Sequence, residues 1–204
     1  MQLDADMVAT SNNDSGVQAA QETSFAMAAR TFNLDATHSD VAFSTKHMMV
    51  TTVRGKFNVA AGSIEIDADD LTSSHGAFTV ETASIDTGVD QRDGHLRSAD
   101  FFDADNFPTM KFASTKVVAK GGDDYAVTGD LTIKSVTRPV TFDVEFLGFY
   151  KSMAGASRAG FHATSKINRE DFGLTWNVAM ETGGWLVGKD IKIEIDLAVE
   201  EAAA

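Results

Sequence analysis

Hydrophobic and polar residues alternate one by one along most of this chain. The clearest case is the segment 190–199, where five isoleucine, leucine and valine residues alternate with four charged residues and one alanine. The same period of two recurs in the segments 63–67, 125–133 and 140–146. Because successive side chains of a strand point to opposite faces, this pattern predicts antiparallel sheet with one buried and one solvated face.

Turn-forming residues separate these segments. The main breaks are at 69–70, 121–124, 134–135 and 183–184, where aspartate, glycine, lysine and serine predominate. Such residues supply positive φ angles or local side-chain hydrogen bonds. The spacing gives about eight strands, without the crossover helices that parallel strands require. We therefore predict an all-β fold, an extended up-and-down antiparallel β-barrel of about eight strands, because closure removes exposed sheet edges.

Two segments depart from the strand pattern. Residues 1–30 are rich in alanine, asparagine, aspartate, serine and glutamine, and they predict a flexible or loosely helical extension ahead of a barrel domain at 31–200. A charged insert near 90–102 interrupts the strands and ends in Phe101 and Phe102. We predict that it forms a short helix or loop over one end of the barrel, with its two phenylalanines plugged into that end.

Composition narrows the classes of function. With 30 acidic and 17 basic residues the net charge is −13, which excludes nucleic acid as an expected partner. The chain has no cysteine, so disulfides and thiol catalysis are excluded. No apolar run approaches the ~18 residues of a transmembrane helix. The start of the sequence lacks the positively charged segment followed by an apolar segment that is typical of a signal peptide. We therefore expect a cytoplasmic protein, or an exported one if a precursor begins further upstream.

The interior could be filled or hollow. The chain has 14 phenylalanines, and a barrel of about eight strands is just wide enough to be filled by side chains or to hold one small ligand. Composition alone favours a filled core. However, the side chains at inward-facing positions become smaller along two strands, from Phe78 to Thr82 and Ser84, and from Phe161 to Ala163. Small residues on an inward face would leave an elongated apolar tunnel.

Candidate lumen-lining residues follow from this inward phase. They are mostly aromatic or β-branched, as in apolar ligand pockets. We predict the lining to comprise Phe43, His47, Phe57, Phe78, Val80, Phe101, Phe102, Phe112, Leu131, Ile133, Phe142, Val144, Phe161, Phe172 and Trp176, with Arg92, Asp93 and His95 as polar residues at a mouth.

Several motifs resemble the YceI-like family over about residues 31 to 199. The most specific is the run from Ser84 through Arg92-Asp93-Gly94-His95-Leu96 to Phe107-Pro108. Others are at 35–43, 53–57, 129–140 and 167–173. The resemblance implies a lipocalin-like barrel that holds a polyisoprenoid chain, such as an isoprenoid quinone, in its lumen. It also implies a homodimer and, for many members, export.

Polar constellations offer weaker alternatives. His38, His47 and His95 lack the spacing of a metal site, so neither a metal nor a cofactor is expected. His95 beside Asp93 or Asp100 could perform acid/base catalysis on an amphipathic lipid. Asp93 and Arg97 are also spaced for an ion pair within a helix, which favours a structural role for the insert.

Three functions stay open at this point. The favoured one is non-catalytic binding, transport or storage of a long isoprenoid lipid. The rivals are an enzyme that uses His95, and an interaction module with a filled interior. Near the last break we expect Arg169 to pair with Asp171, and Gly173 to supply the bend.

Overall fold

The computed structural model describes residues 29–153, 155–181 and 183–203. The predicted extension at 1–30 falls outside these ranges except for its last two positions. The strands are β1 (Arg30–Leu34), β2 (Asp40–His47), β3 (Thr51–Phe57), β4 (Val59–Ile66), β5 (His75–Glu81), β6 (Thr109–Gly121), β7 (Asp124–Ile133), β8 (Val136–Lys151), β9 (Ser157–Asn168) and β10 (Val187–Glu201). Helix α1 spans Asp90–Arg97, and 3-10 turns lie at Ala36–His38, Leu71–Ser73, Thr82–Ser84 and Arg169–Phe172.

The ten strands form eight positions around a closed antiparallel barrel. β1 and β2 lie end to end along β10, with Leu34 opposite Val199 and Asp40 opposite Asp196. β4 and β3 lie along β1 and β2 in the same way. Every other strand pairs with its neighbour in sequence, from β4 and β5 round to β9 and β10. The predicted up-and-down barrel of about eight strands is confirmed.

The predicted breaks fall in the connections between strands or at strand ends. Gly121 and Gly122 have positive φ at the β6–β7 turn, and Lys134 has φ 55 at the β7–β8 turn. The insert forms α1, as predicted. One inward assignment is wrong: Thr82 and Ser84 lie in a 3-10 turn after β5 rather than on a strand. There Thr82 is buried, and the hydroxyl of Ser84 donates to the carbonyl of Glu81 at 2.6 Å.

Two clusters of buried residues lie toward the two ends of the barrel. The helix-end cluster contains Phe57, Ile85, Phe101, Phe172 and Leu174, together with Met110, Leu131, Ile133, Val140, Phe142 and Ala163. The far-end cluster contains Phe32, Ile66, Ala159 and Val199. Ala159 is near the start of β9 and Phe172 follows its end, so the clusters lie at opposite ends of the strand. The space between them is where a ligand could lie.

Candidate functional site

A cavity of about 290 Å³ runs between the two clusters, and apolar side chains form nearly all of its wall. Inward-facing residues at mid-barrel, such as Phe78, Val144 and Ile195, are only half-buried because they border this space. Along β7 the wall runs from Tyr125 to Ile133, which corresponds to about 26 Å of strand. The interior is therefore hollow rather than packed solid.

Most of the predicted lining residues border this cavity. They are Phe43, Phe57, Phe78, Val80, Phe101, Phe102, Phe112, Leu131, Ile133, Phe142, Val144 and Phe161. Their contact with a ligand stays a prediction.

Three predicted lining residues lie elsewhere. His47 pairs with Val187, beyond an irregularity in the pairing of β2 with β10. The last residue of β2 that borders the cavity is Thr45. Phe172 is buried in the helix-end cluster, behind the wall. Trp176 packs on the insert, with its ring 4.6 Å from that of His95. His47 is the last residue of β2, and Phe172 and Trp176 follow the end of β9. The alternation of faces no longer holds at these positions.

Sequence reasoning missed much of the wall. β10 contributes Val187, Ile191, Ile193, Ile195 and Leu197, and the other strands add Val41, Val59, Ile64, Ile66, Met110, Val117, Tyr125, Val127, Phe146, Ala163 and Ile167. The alternation at 190–199 already identified an inward face on β10. The same alternation indicates the inward faces of the other strands, so the aliphatic residues and the aromatic residues Tyr125 and Phe146 could have been assigned to the wall.

Glycines explain how so many phenylalanines leave the centre open. Phe43 lies directly opposite Gly55, and Phe78 lies directly opposite Gly62. A Cβ atom added to either glycine would fall within 3 Å of the phenylalanine ring. Each ring therefore lies over the backbone of the neighbouring strand. Aromatic surface is thus spread along the wall of the cavity.

A hydrogen-bonded latch holds the insert over the helix end. The buried carboxylate of Asp93 accepts from the backbone N–H of Thr87 at 2.9 Å and from the hydroxyl of Thr87. Arg92 donates to the Thr87 hydroxyl at 2.7 Å and to its carbonyl at 2.8 Å. Arg97 donates to the carbonyls of Ala83 and Ile85 at 2.8 and 2.9 Å. The predicted ion pair of Asp93 with Arg97 is therefore wrong, because both side chains bond to the preceding loop.

The predicted polar mouth residues do not border the cavity. Arg92 and Asp93 belong to the latch, and His95 is on the outer side of the insert. The His95 ring bonds to Asp100 at 2.9 Å and meets the Phe101 ring edge-on at 5.1 Å. The structure thus brings His95 together with Asp100 but not with Asp93.

Arg169 occupies a different place from the predicted one. Its guanidinium points into the barrel, where Nε donates to the carbonyl of Gly188 at 3.0 Å and Nη1 donates to that of Leu174. Burial lowers the pKa of Arg169, and the nearby charge of Glu170 opposes that shift. The expected pair with Asp171 is wrong, because Asp171 is exposed on the outside of the turn. The bend at Gly173 is as expected, with φ 77.

The described residues show neither a metal-type cluster nor a long apolar helix. No three histidine, aspartate or glutamate side chains in these ranges come together as metal ligands would. His38 instead bonds to Asp35 at 2.8 Å. None of the helices in the described part of the chain has the length and hydrophobicity needed to cross a membrane.

The fold and the cavity define a class of protein, the lipocalin-like β-barrels with an apolar lumen. The sequence profile of the YceI-like domain matches residues 32–199. The chain belongs to this family. A UPF0312 protein of Staphylococcus epidermidis is 43% identical over 164 residues, which cover 80% of this chain and 93% of the relative. A UPF0312 protein of Staphylococcus aureus is 42% identical, with the same coverage.

Solved structures share the fold. BcnA of Burkholderia cenocepacia is 25% identical, with a TM-score of 0.67 and coverage of 81% of this chain and 98% of that one. The YceI protein of Campylobacter jejuni is 29% identical, with a TM-score of 0.66 and coverage of 78% and 90%. A polyisoprenoid-binding domain from Saccharophagus degradans has a TM-score of 0.59 at 16% identity, covering 84% and 98%. At 16% identity, the likeness to the Saccharophagus domain shows a shared fold alone.

Proposed function

We propose that this protein binds a long isoprenoid lipid in its lumen and carries or stores it without catalysing a reaction. The observation that supports this most directly is the apolar cavity between the two end clusters. Each buried methylene contributes about 0.8 kcal/mol, whereas a neutral hydrogen bond contributes about 1 kcal/mol net. A wall of this kind therefore favours a long hydrocarbon chain, whose affinity grows with every carbon that it covers.

Family membership supports the same class of ligand. The Saccharophagus domain, which has the same fold, is described as binding polyisoprenoids. A branched, unsaturated chain also suits walls of phenylalanine and β-branched residues, because both present flat or rounded surfaces to the lumen.

The rival enzymatic function has less support. His95 and Asp100 form a hydrogen-bonded pair, yet neither residue borders the cavity. A general base must come within hydrogen-bond reach of the substrate proton that it removes. Turnover that disappears in His95→Ala while lipid binding is retained would establish this alternative.

Extraction tests the proposed ligand class. The purified protein is extracted with organic solvent, and the extract is analysed by mass spectrometry. We expect an isoprenoid lipid in stoichiometric amount, and uptake of added isoprenoid quinone by delipidated protein. An extract without lipid, together with no uptake of the added quinone, would contradict the proposal.

Filling the lumen provides a test that depends on geometry. Ala163 faces the cavity, whereas the next residue, Thr164, faces outward and is exposed. Ala163→Trp should occlude the lumen and weaken isoprenoid binding at least tenfold in a fluorescence titration, since several methylene contacts would be lost. Thr164→Trp is the matched control and should bind as the unmodified protein does. Equal binding by the two variants would place the ligand outside the lumen.

The homodimer and the cytoplasmic location stay predictions. Light scattering of the purified protein at several concentrations measures the first. Fractionation of cells that express the native gene measures the second.

A further inference from the structure

The cavity wall contains a buried cation. Of the three buried polar side chains in the described structure, Thr82, Asp93 and Arg169, Arg169 alone borders the cavity. Only 3% of its surface is exposed. The guanidinium lies over the ring of Phe101, 5.9 Å from its centroid, beneath the insert. A charge in this position is unusual for a wall that is otherwise apolar.

This guanidinium is incompletely satisfied. Nε and Nη1 donate to two backbone carbonyls, but the buried Nη2 makes no hydrogen bond within the described part of the chain. No carboxylate of the described residues lies within 4.0 Å of it, and the neighbouring Glu170 pairs with Lys189 at 2.8 Å. A buried charge that lacks a partner is costly, and so is a buried donor without an acceptor. An acceptor with negative charge would satisfy both requirements.

We propose that Nη2 of Arg169 binds a terminal oxyanion on the ligand, so that the lumen prefers acidic amphiphiles to neutral ones. This inference rests on the proposed lumen binding and specifies the head group and the orientation. Arg169 directly follows β9, at the helix end of the barrel. The head group therefore lies beneath Phe101, and the chain extends past Phe112 and Val144 toward the far-end cluster. Carboxylate and phosphate share the required chemistry, since each accepts charge-assisted hydrogen bonds from a guanidinium.

Matched ligands test the preference. Geranylgeraniol, geranylgeranyl phosphate and geranylgeranoic acid share one chain length and differ at the head. The intact protein should bind the phosphate or the acid about tenfold more tightly than the alcohol, as expected for one added charge-assisted hydrogen bond. The ratio of the two acidic ligands identifies which oxyanion the site takes. Arg169→Met should abolish the preference for the acids over the alcohol, measured as the ratio of the two affinities, and Arg169→Lys should retain part of it.

Lys111→Met is the matched control for general electrostatics. Lys111 is also at the edge of the cavity, but it is exposed on the outward phase of β6. Its replacement should leave the ratio of acid to alcohol affinity unchanged. An equal loss of preference in Lys111→Met would overturn the assignment to Arg169.

Orientation can be measured without altering Arg169, which matters because its bonds to Leu174 and Gly188 also support folding. The Trp176 ring is 5.2 Å from Phe101, and Trp185 is exposed, so Trp185→Phe leaves Trp176 as the fluorophore. Palmitic acid brominated at carbon 2 should quench Trp176 more strongly than palmitic acid brominated at carbon 16. Stronger quenching from carbon 16 would reverse the orientation and overturn the proposal.

These experiments distinguish a failure of lipid binding in the lumen from a failure of the proposed role of Arg169. If none of the prenyl ligands binds, the proposed lumen function fails. If the alcohol and the acids bind equally to the intact protein, lumen binding stands and the role of Arg169 fails.

Discussion

At the scale of single residues, the pairing of phenylalanine with glycine determines whether the barrel is hollow. Phe112 lies over Gly129 on the neighbouring strand β7, in the same way that Phe43 and Phe78 lie over glycines. A side chain at such a glycine would push the ring toward the centre of the lumen. Stability and cavity shape are therefore controlled by the same positions.

Gly129→Ala should destabilise the protein. The new Cβ would fall within 3 Å of the Phe112 ring and the carbonyl of Ala113, and overpacking of this kind typically costs about 1–3 kcal/mol. Urea unfolding measures the change. Gly94→Ala is the control, because nothing lies within 4 Å of its added Cβ in the exposed helix α1. That variant should be stabilised by about 0.5–1 kcal/mol. A neutral Gly129→Ala would show that the ring can move without cost.

A histidine on the outer face makes stability depend on pH. The hydrogen bond from His162 to Asp196, at 2.8 Å, raises the pKa of His162, although partial burial opposes the shift and nearby acidic charges assist it. Since the folded pKa lies above the unfolded value, this stabilisation is fully present below pH ~6.5 and is lost as pH rises through the folded pKa.

His162→Gln should therefore remove a stabilising contribution at pH 6 and change little at pH 9. The difference in melting temperature between this variant and the unmodified protein measures it across that range. Asp196→Asn should flatten the pH dependence in the same way, because it removes the partner. A difference that stays constant from pH 6 to 9 would contradict the assignment.

Arg169 shows where sequence reasoning ends at this scale. Alternation identifies the face of a strand on which Phe142 or Val144 lies, because the period of two is a local property. Arg169 follows the end of β9, where the period stops. Its partners are Leu174, in the loop that follows, and Gly188, at the start of β10, so they depend on how the chain returns over the barrel. The short spacing to Asp171 suggested an ion pair, but local spacing does not determine direction at a turn.

At the scale of elements, the insert is held over one end of the barrel by hydrogen bonds to the loop that precedes it. Its position over the lumen follows from sequence, since Phe101 and Phe102 are apolar residues next to a charged segment. Its attachment through Asp93 and Thr87 could not be predicted, because Asp93 has an equally suitable local partner in Arg97. In the structure, Asp93 bonds to Thr87 in the preceding loop, because Asp93 is buried there and the N–H of Thr87 needs an acceptor.

Asp93→Ala should loosen the insert. The backbone N–H of Thr87 would lose its acceptor in a partly buried site, at a cost of about 1–3 kcal/mol. Hydrogen exchange of the Phe101 and Phe102 amides should become faster, and bound lipid should dissociate faster. Asp105→Ala, in an exposed turn, is the control and should change stability by less than about 0.5 kcal/mol. Slow exchange at Phe101 in a globally destabilised Asp93→Ala would show that Asp93 does not act as the latch.

At the scale of the whole molecule, the closed antiparallel barrel of about eight strands was predicted from the period of two, the turn residues and the removal of sheet edges. The sharing of two barrel positions by β1 with β2 and by β4 with β3 was not predicted. The hollow interior did not, because a filled and an open barrel of eight strands share the same alternation. The volume of the lumen depends on contacts between strands, such as Phe78 over Gly62, that pair positions far apart in the chain.

Ligand binding should stabilise the whole barrel. A lipid that binds only the folded state, at a free concentration of 100 times its Kd, should raise the free energy of unfolding by about 2.7 kcal/mol. Thermal unfolding of delipidated protein with increasing isoprenoid quinone measures this as a rise of several degrees in Tm. An unchanged Tm at saturating quinone would mean that the lipid does not bind the folded barrel.

β10 touches three other strands, since it pairs with β9 along one edge and with β1 and β2 along the other. As the chain folds, β1 and β4 to β9 can form one curved sheet and β2 and β3 a separate hairpin, but the ring has a gap until Val187–Glu201 pairs with them. Until then, the phenylalanines of the future wall face water. An enclosed lumen therefore exists only once β10 has paired along both of its edges.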